Sequence, residues 1–98
     1  MRKTDKKIEN EIIRRLTDVC EDAKHECSGF SWLTHDVDYQ RFPASLTVTL
    51  VFNETVSETV LLAGLHRLVP EVQRALEPVL GLILPASRIE ARREYREH

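Results

Sequence analysis

Two groups of side chains in this sequence combine residue types that could do chemistry. The first is Cys20, His25 and Cys27, which offers the sulfur and imidazole ligands found in zinc sites. All three fall on a predicted helix, where the two cysteines lie about 10 Å apart along the axis and the histidine is rotated away from both. That spacing cannot close a tetrahedral metal site, and it exceeds the limit of about 7 Å between Cα atoms for a disulfide. We therefore predict two free thiols in the core, no metal and no cofactor.

The second group is the dipeptide His35-Asp36, which resembles an acid/base pair. It falls on a predicted strand, and neighbouring strand residues point to opposite faces of a sheet. We expect His35 to be partly buried and hydrogen-bonded instead. No Ser or Cys stands near a His in a nucleophile motif, and the three glycines form no phosphate-binding loop. The sequence thus predicts no catalytic residue, no small-molecule substrate and no enzyme.

Length and charge narrow the class of protein further. A chain of 98 residues fits one domain, 1–98, and a hydrophobic fraction of 42% is ordinary for a globular chain. The longest apolar stretch, residues 78–86, is far shorter than the roughly 20 residues that span a bilayer. The amino terminus is charged and lacks the apolar centre of a secretory signal. We expect a cytoplasmic protein with no membrane partner.

A helix is predicted over residues 5–27, because apolar side chains recur there at steps of three and four. The stripe consists of Ile8, Ile12, Leu16, Val19, Ala23 and Cys27. Ser28-Gly29 then ends the helix.

Two strands should follow, because the apolar period changes from 3.6 to two. The first runs from Trp32 to Gln40 and the second from Leu46 to Phe52, joined by residues 41–44 around Pro43. They are close enough in sequence to form an antiparallel hairpin that packs on the first helix. The predicted core joins six strand residues to six helical ones: Leu33, Val37, Leu46, Val48, Leu50 and Phe52 against Ile12, Leu16, Val19, Cys20, Leu65 and Leu68.

A second helix is predicted to begin at Thr55, because Glu58 three residues later completes the pattern of a capping box. Pro70 removes a backbone donor and clashes one turn back. We therefore expect a kink or break near Val69, and a second helical piece that continues to about Glu77.

Pro78 and Gly81 should end this helix, and the remaining tail fits two structures. Residues 88–92 suit a third strand, whereas Ser87 with Glu90 could cap a charged helix. We favour the strand, because a hairpin covered by helices is stabilised by a third strand. The predicted fold is α+β, with the KH-like order α-β-β-α-α-β.

Basic residues are concentrated at the two ends of the chain, although the net charge is only −2. If both ends met on one side they could bind phosphates. These nucleic-acid-binding candidates are Arg2, Lys3, Lys6, Lys7, Arg88, Arg92, Arg93 and Arg96. Interspersed Glu90, Glu94 and Glu97 favour the alternative, an internally paired and solvated tail.

The first half of the chain resembles a family of small proteobacterial proteins that are labelled Fis-family transcriptional regulators. The resemblance covers about residues 1–53 and depends on residues 2–8, on Gly29 to His35, and on Tyr39 with Phe42 to Leu46. It implies no catalytic residue. Pro78, Gly81 and Pro85 near the end of the chain leave no space for the carboxy-terminal helix-turn-helix by which Fis itself reads DNA.

A looser resemblance, in the order of elements alone, is to type II KH domains such as ribosome-binding factor A. The Gly-x-x-Gly clamp of KH domains is absent, and only Ala63-Gly64 and Pro70 suggest a comparable helix break. Three hypotheses follow. The first is a non-enzymatic binding or adaptor protein that acts through a protein partner or as a homodimer. The alternative is an RNA- or ribosome-associated KH-like module, and the last is a metal protein or an enzyme.

Overall fold

The fold was analysed in a computed structural model that describes residues 2–94. It contains two helices and three strands in the order α-β-β-α-β. The bounds are α1 Lys3–Glu26, β1 Phe30–Asp36, β2 Thr47–Phe52, α2 Glu58–Leu80 and β3 Ile89–Arg93, with short 3-10 turns at Tyr39–Arg41 and Ala86–Arg88. The predicted α+β class and layout are confirmed.

The three strands form one mixed sheet in the order β1-β2-β3. The hairpin of β1 and β2 is antiparallel as predicted, and β3 pairs with β2 in parallel. Because a parallel neighbour requires a crossover, α2 must pass over the sheet between β2 and β3. The third strand confirms the preferred structure of the tail, and Ser87 lies in the 3-10 turn that precedes it.

The first strand begins and ends earlier than the sequence pattern indicates, at Phe30 and Asp36. Beyond Asp36 the chain turns, because the side chain of Asp38 accepts a hydrogen bond from the backbone N–H of Gln40 at 3.0 Å. The alternation that continues to Gln40 therefore belongs partly to a 3-10 turn, and the predicted end of the strand was wrong.

Helix α2 begins at Glu58, with Ser57 as its N-cap, and not at Thr55. The Ser57 hydroxyl accepts from the N–H of Val60 at 3.2 Å. Thr55 instead donates its N–H and its hydroxyl to the side chain of Asn53, at 2.9 and 2.8 Å. The capping-box prediction failed because Asn53 forms a competing local turn.

Helix α2 is continuous through Pro70 and up to Leu80, so of the predicted kink or break the break does not occur, and the helix extends beyond the predicted end near Glu77. Pro70 lies on the exposed side of the helix, as does His66, whose carbonyl loses its helical partner. Water can bind that carbonyl, so the missing hydrogen bond costs little. The helix ends at Gly81, which has a φ of 73° and donates its N–H to the Glu77 carbonyl.

The hydrophobic core lies between the two helices and one face of the sheet. Four residues predicted on the second strand, Leu46, Val48, Leu50 and Phe52, are fully buried in it. All the other predicted core residues either belong to this cluster or pack against it. Both cysteines are free thiols: Cys27 is a member of the cluster, and Cys20 packs against it.

Gly64 lies where α2 crosses the ring of Phe52. A Cβ at this position would stand 2.5 Å from two ring atoms, and Phe52 has no free space because it is fully buried. In the sequence Gly64 suggests a helix break, whereas in the structure it allows α2 to pack closely against the ring of Phe52.

We expect Gly64→Ala to destabilise the protein by about 1–3 kcal/mol through overpacking, measured by urea unfolding. Helix propensity alone would favour Ala by about 1 kcal/mol, so the sign of the change separates the two effects. Phe52→Leu is the matched background, because it shortens the side chain that clashes. There Gly64→Ala should be neutral or stabilising, and a gain in stability in the wild-type background would contradict the packing described.

Candidate binding surface

One face of the sheet is left open. Both helices pack on the core face, and no element described between residues 2 and 94 covers the other. The register arranges the side chains of the open face in rows across the strands: Trp32, Val51 and Arg92, then Thr34, Thr49 and Glu90, then Asp36 and Thr47.

A β-bulge between Phe30 and Trp32 determines which ring points outward. In a regular strand these two residues would share a face. The extra residue lets Phe30 pack edge-on against Phe52 in the core, with ring centroids 5.5 Å apart, while Trp32 points to the open face. Bulges that redirect a side chain are common next to functional sites.

Trp32 and Arg92 meet over Val51 at the centre of their row. The Arg92 guanidinium carbon lies 5.9 Å from the centroid of the Trp32 ring, close to the outer limit for a cation–π contact. Val51 is fully buried although it lies outside the main core cluster, and Trp32 and Arg92 are its two neighbours across the strands. Trp32 nonetheless keeps 41% of its surface exposed. The pair is therefore both a small second core and an exposed aromatic–cation surface.

A polar cluster fixes the amino-terminal part of α1 to the end of β1. His35 Nε2 donates to Glu9 Oε1 at 2.7 Å, and the Tyr39 hydroxyl donates to Glu9 Oε2. Burial raises the pKa of Glu9, but the hydrogen bonds from Tyr39 and His35 outweigh it and hold this pKa below its ordinary value of 4.5. Burial and the bond to Glu9 also raise the pKa of Tyr39. The prediction that His35 is partly buried and hydrogen-bonded is confirmed, and its partner is on another element.

The interface between α1 and α2 contains a carboxyl group with the opposite behaviour. Glu71 Oε2 is buried and forms no hydrogen bond with the described residues. Burial, together with the nearby carboxylates of Glu26 and Asp22, raises the pKa of Glu71 above 4.5. The ionised form of Glu71 is therefore disfavoured in the folded protein.

The side chains whose types could do chemistry either lie apart from one another or are already hydrogen-bonded to other residues. Within residues 2–94, no three His, Cys, Asp or Glu side chains are grouped to hold a metal ion. Burial raises the pKa of the Cys27 thiol, which reduces its nucleophilic character. His35 and Tyr39 are both bound to one carboxylate.

The basic candidates do not gather in one place. Arg88 donates to the carbonyl of Ala44, beside the connection of the hairpin. Arg93, at the other end of β3, donates to the Val56 carbonyl at 2.9 Å and pairs with Glu58 at 3.1 Å. Arg92 lies on the open face.

The remaining basic candidates lie at the start of the chain, except for Arg96. Arg2 is the N-cap of α1 and lines a surface depression with Asp38, Tyr39 and Gln40, at the same end of the sheet as Arg88. The exposed lysines of the first turns are Lys3, Lys6 and Lys7. Arg96 lies outside the described residues.

The sequence predicts Trp32 at the start of the first strand and Arg92 among the basic candidates, but it does not predict that the two residues pair. The two residues are 60 positions apart, and they meet only because β3 joins β2 in parallel at the register that sets Arg92 beside Val51. Strand periodicity assigns a face to each residue but gives no register between strands that are distant in sequence.

The opposite pKa directions of Glu9 and Glu71 give a paired prediction. We expect Glu9→Gln to lower the free energy of unfolding by about 1–3 kcal/mol at pH 7, because two hydrogen bonds lose their ionised acceptor. The lowered pKa stabilises the fold above 4.5, and this contribution disappears as the pH falls through the folded-state value. The difference from wild type should therefore shrink below pH 4.5, as followed by urea unfolding at several pH values.

Glu71→Gln is the matched control with the opposite sign. A raised folded-state pKa means that the ionised group opposes folding at neutral pH, and this cost disappears once the pH falls below 4.5. We expect Glu71→Gln to stabilise the protein at pH 7 by about 1 kcal/mol and to have little effect in acid. Equal effects of the two substitutions at pH 7 would contradict this account.

Neither helix within residues 2–94 is long and apolar enough to cross a membrane. Comparison with protein families, with curated proteins and with solved structures finds no match to this chain.

Proposed function

We propose that this chain is a non-enzymatic binding protein that contacts a protein partner through its open sheet face. The observation that carries the proposal is the Trp32–Arg92 pair, exposed on a sheet face that neither helix covers. Tryptophan and arginine are the residue types most enriched among the energetic centres of protein interfaces.

The surroundings of the pair support this role. The sheet holds both residues, so little side-chain entropy is lost when a partner binds. Threonine hydroxyls and the carboxylate of Glu90 lie in the row next to the pair, and Asp36 lies one row further away, as in the polar rim of an interface. An anchor held by strands and surrounded by hydrogen-bonding groups suits a protein surface of mixed polarity.

The size of the face limits the kind of complex. Three strands about 4.8 Å apart, each with about five residues at roughly 3.3 Å, cover roughly 250 Å². Stable complexes bury about 800 Å² on each partner. The partner therefore either extends beyond the sheet or binds transiently.

Protein partners are favoured over RNA by charge. The open face combines one cation, Arg92, with the carboxylates of Asp36 and Glu90, and Arg92 occupies one side of the only tryptophan ring. RNA-binding sheets use free aromatic rings for stacking and an excess of positive charge. The wide separation of Arg88 and Arg93 also weakens a continuous phosphate-binding surface.

An RNA-associated KH-like module is the second candidate. It is favoured by a specific observation, an aromatic ring and an arginine side by side on an open sheet in an α-β-β-α-β chain. If RNA binds there, Arg92 would contact phosphate and Trp32 would stack on a base.

A photo-crosslinking amino acid at Glu90, which lies in the row next to the Trp32–Arg92 pair and on the edge strand opposite β1, tests the first candidate in cells. We expect one discrete protein adduct, resistant to ribonuclease, that is lost on Trp32→Ala and on Arg92→Ala. The same crosslinker at Thr59, which is exposed on α2, is the matched control and should not give this adduct. The same adducts from both positions would refute the proposal, provided that thermal unfolding shows the variants to be folded.

Because Trp32 is the only tryptophan, its fluorescence tests the RNA candidate directly. If single-stranded RNA binds the open face, titration at low salt should quench this fluorescence. The logarithm of the affinity should fall with that of the salt concentration, with a slope of about −0.7 per phosphate contacted. Arg92→Ala should weaken the quenching, whereas Arg88→Ala, at the end of the sheet, should not. No change in fluorescence at low salt would exclude RNA from this face.

A further inference from the structure

The two edges of the sheet differ in chemistry. Strand β3 forms one edge and contains Glu90, Arg92 and Arg93 among its five residues. Strand β1 forms the other edge, and its only acidic or basic residues are His35 and Asp36 at its end. Charged side chains are a common device that prevents an edge strand from pairing with another chain. Strand β1 lacks that protection over most of its length.

A groove between β1 and α1 opens beside this unprotected edge. The helix contributes Ile13, Thr17 and Cys20 to its walls, and the strand contributes Leu33. Ile13 keeps 47% of its surface exposed, although it is a large aliphatic residue. An additional strand along β1 would hydrogen-bond the edge, and an additional helix beside α1 would cover Ile13.

We infer that a second copy of this chain occupies this edge, with β1 and α1 each antiparallel to themselves across one two-fold axis. The alignment of α1 relative to β1 is compatible with a single axis for both elements. Glu9 contacts His35 at one end of β1, and the carbonyl of Cys27 accepts from the N–H of Phe30 at the other. The middle of this part of the helix, near Asp18, is therefore level with the middle of the strand.

A single axis perpendicular to the sheet can thus lie between the two copies, beside the midpoints of both elements. Closed two-fold assembly requires such self-matching, in which residue i meets residue j and residue j meets residue i. The resulting sheet would have six strands, with the two open faces on one side.

Charge selects the same chain as the occupant. The two-fold axis is level with Asp18 of α1. Arg14 lies one helical turn before this level and Glu21 lies one turn after it. Both residues are next to Ile13 and Thr17, which line the groove. An antiparallel helix pair centred there brings Arg14 of each copy against Glu21 of the other. Opposite charges at the rim of an interface fix its register and select its partner.

This inference goes beyond the proposed function, because the dimer edge and the partner-binding face are different surfaces. The dimer would present two Trp32–Arg92 pairs on one continuous sheet. Two linked sites raise the avidity for a repeated or dimeric partner without any new contact.

Sedimentation equilibrium of the full chain tests the inference. We expect a mass twice the 11.4 kDa of one chain. Ile13→Lys should shift the mass to that of one chain. Leu62→Lys is the matched control, because Leu62 is 53% exposed on α2, away from the β1 edge, and should leave the dimer intact. A wild-type monomer at all concentrations, or a dimer that only Leu62→Lys dissociates, would overturn the inference.

Exchanging the charges of Arg14 and Glu21 tests the register of the antiparallel helix pair without changing a core residue. Arg14→Glu and Glu21→Arg should each weaken the dimer, since each places like charges together across the axis. The double variant should restore it. Restoration supports the antiparallel helix pair, and two weakened single variants without restoration would refute it.

The two proposals can fail separately. Trp32→Ala should abolish the crosslinked adduct while the mass of the dimer is unchanged. Ile13→Lys should give a monomer that still forms the adduct through the crosslinker at Glu90. If one variant abolished both readouts while the chain stayed folded, the assignment of two separate surfaces would be wrong.

Discussion

The structure depends on the burial of the central strand β2 from both sides. Val48, Leu50 and Phe52 are fully buried beneath the helices, and Val51 is fully buried on the opposite face. The strand pairs with β1 through a short antiparallel connection and with β3 in parallel. The parallel partner requires a crossover, so α2 must lie over the sheet. One strand thus dictates the position of every other element.

The two faces of β2 are buried by different means. The helices bury one face with a large apolar surface, whereas on the other face Val51 lies between Trp32 and Arg92 in one row of the sheet. Removing either side chain would expose apolar surface of β2, so the residues proposed to recognise a partner also contribute to the fold. The bulge after Phe30 also affects both faces, since it places the ring of Phe30 in the core and the ring of Trp32 on the open face. Recognition and stability are therefore coupled at this face.

The sequence predicted those features that arise from local periodicity. The helical stripe of α1, the alternation of β2 and the return of the chain as β3 each follow from residues close together, and the structure agrees. The failures involve competition or distance. The side chain of Asn53 accepts a hydrogen bond from Thr55, so Thr55 does not cap the second helix. The side chain of Asp38 accepts from Gln40 and stabilises a turn, although the apolar alternation of the sequence continues past it. The pairing of Trp32 with Arg92 depends on register, which no single segment encodes.

Pro70 and Gly64 show how tertiary context changes the meaning of a local signal. Both residues disfavour a helix in isolation, by about 3 and 1 kcal/mol. The helix continues because its apolar face, with Leu61, Leu68 and Leu76, is buried against the core. Burial of each such side chain contributes about 1.5–3 kcal/mol, so three of them outweigh both penalties. In addition, Gly64 permits the contact with Phe52 that a larger residue would prevent.

The polar residues of this chain are used mainly to position its elements. Glu9 joins α1 to the end of β1 through His35 and Tyr39. Arg93 ties β3 to the chain just before α2, through the carbonyl of Val56 and the carboxylate of Glu58. These contacts therefore join elements that are distant in the sequence. The open sheet face and the β1 edge, where Trp32 and Ile13 are exposed, are left for the contacts that we propose with a partner and with a second copy.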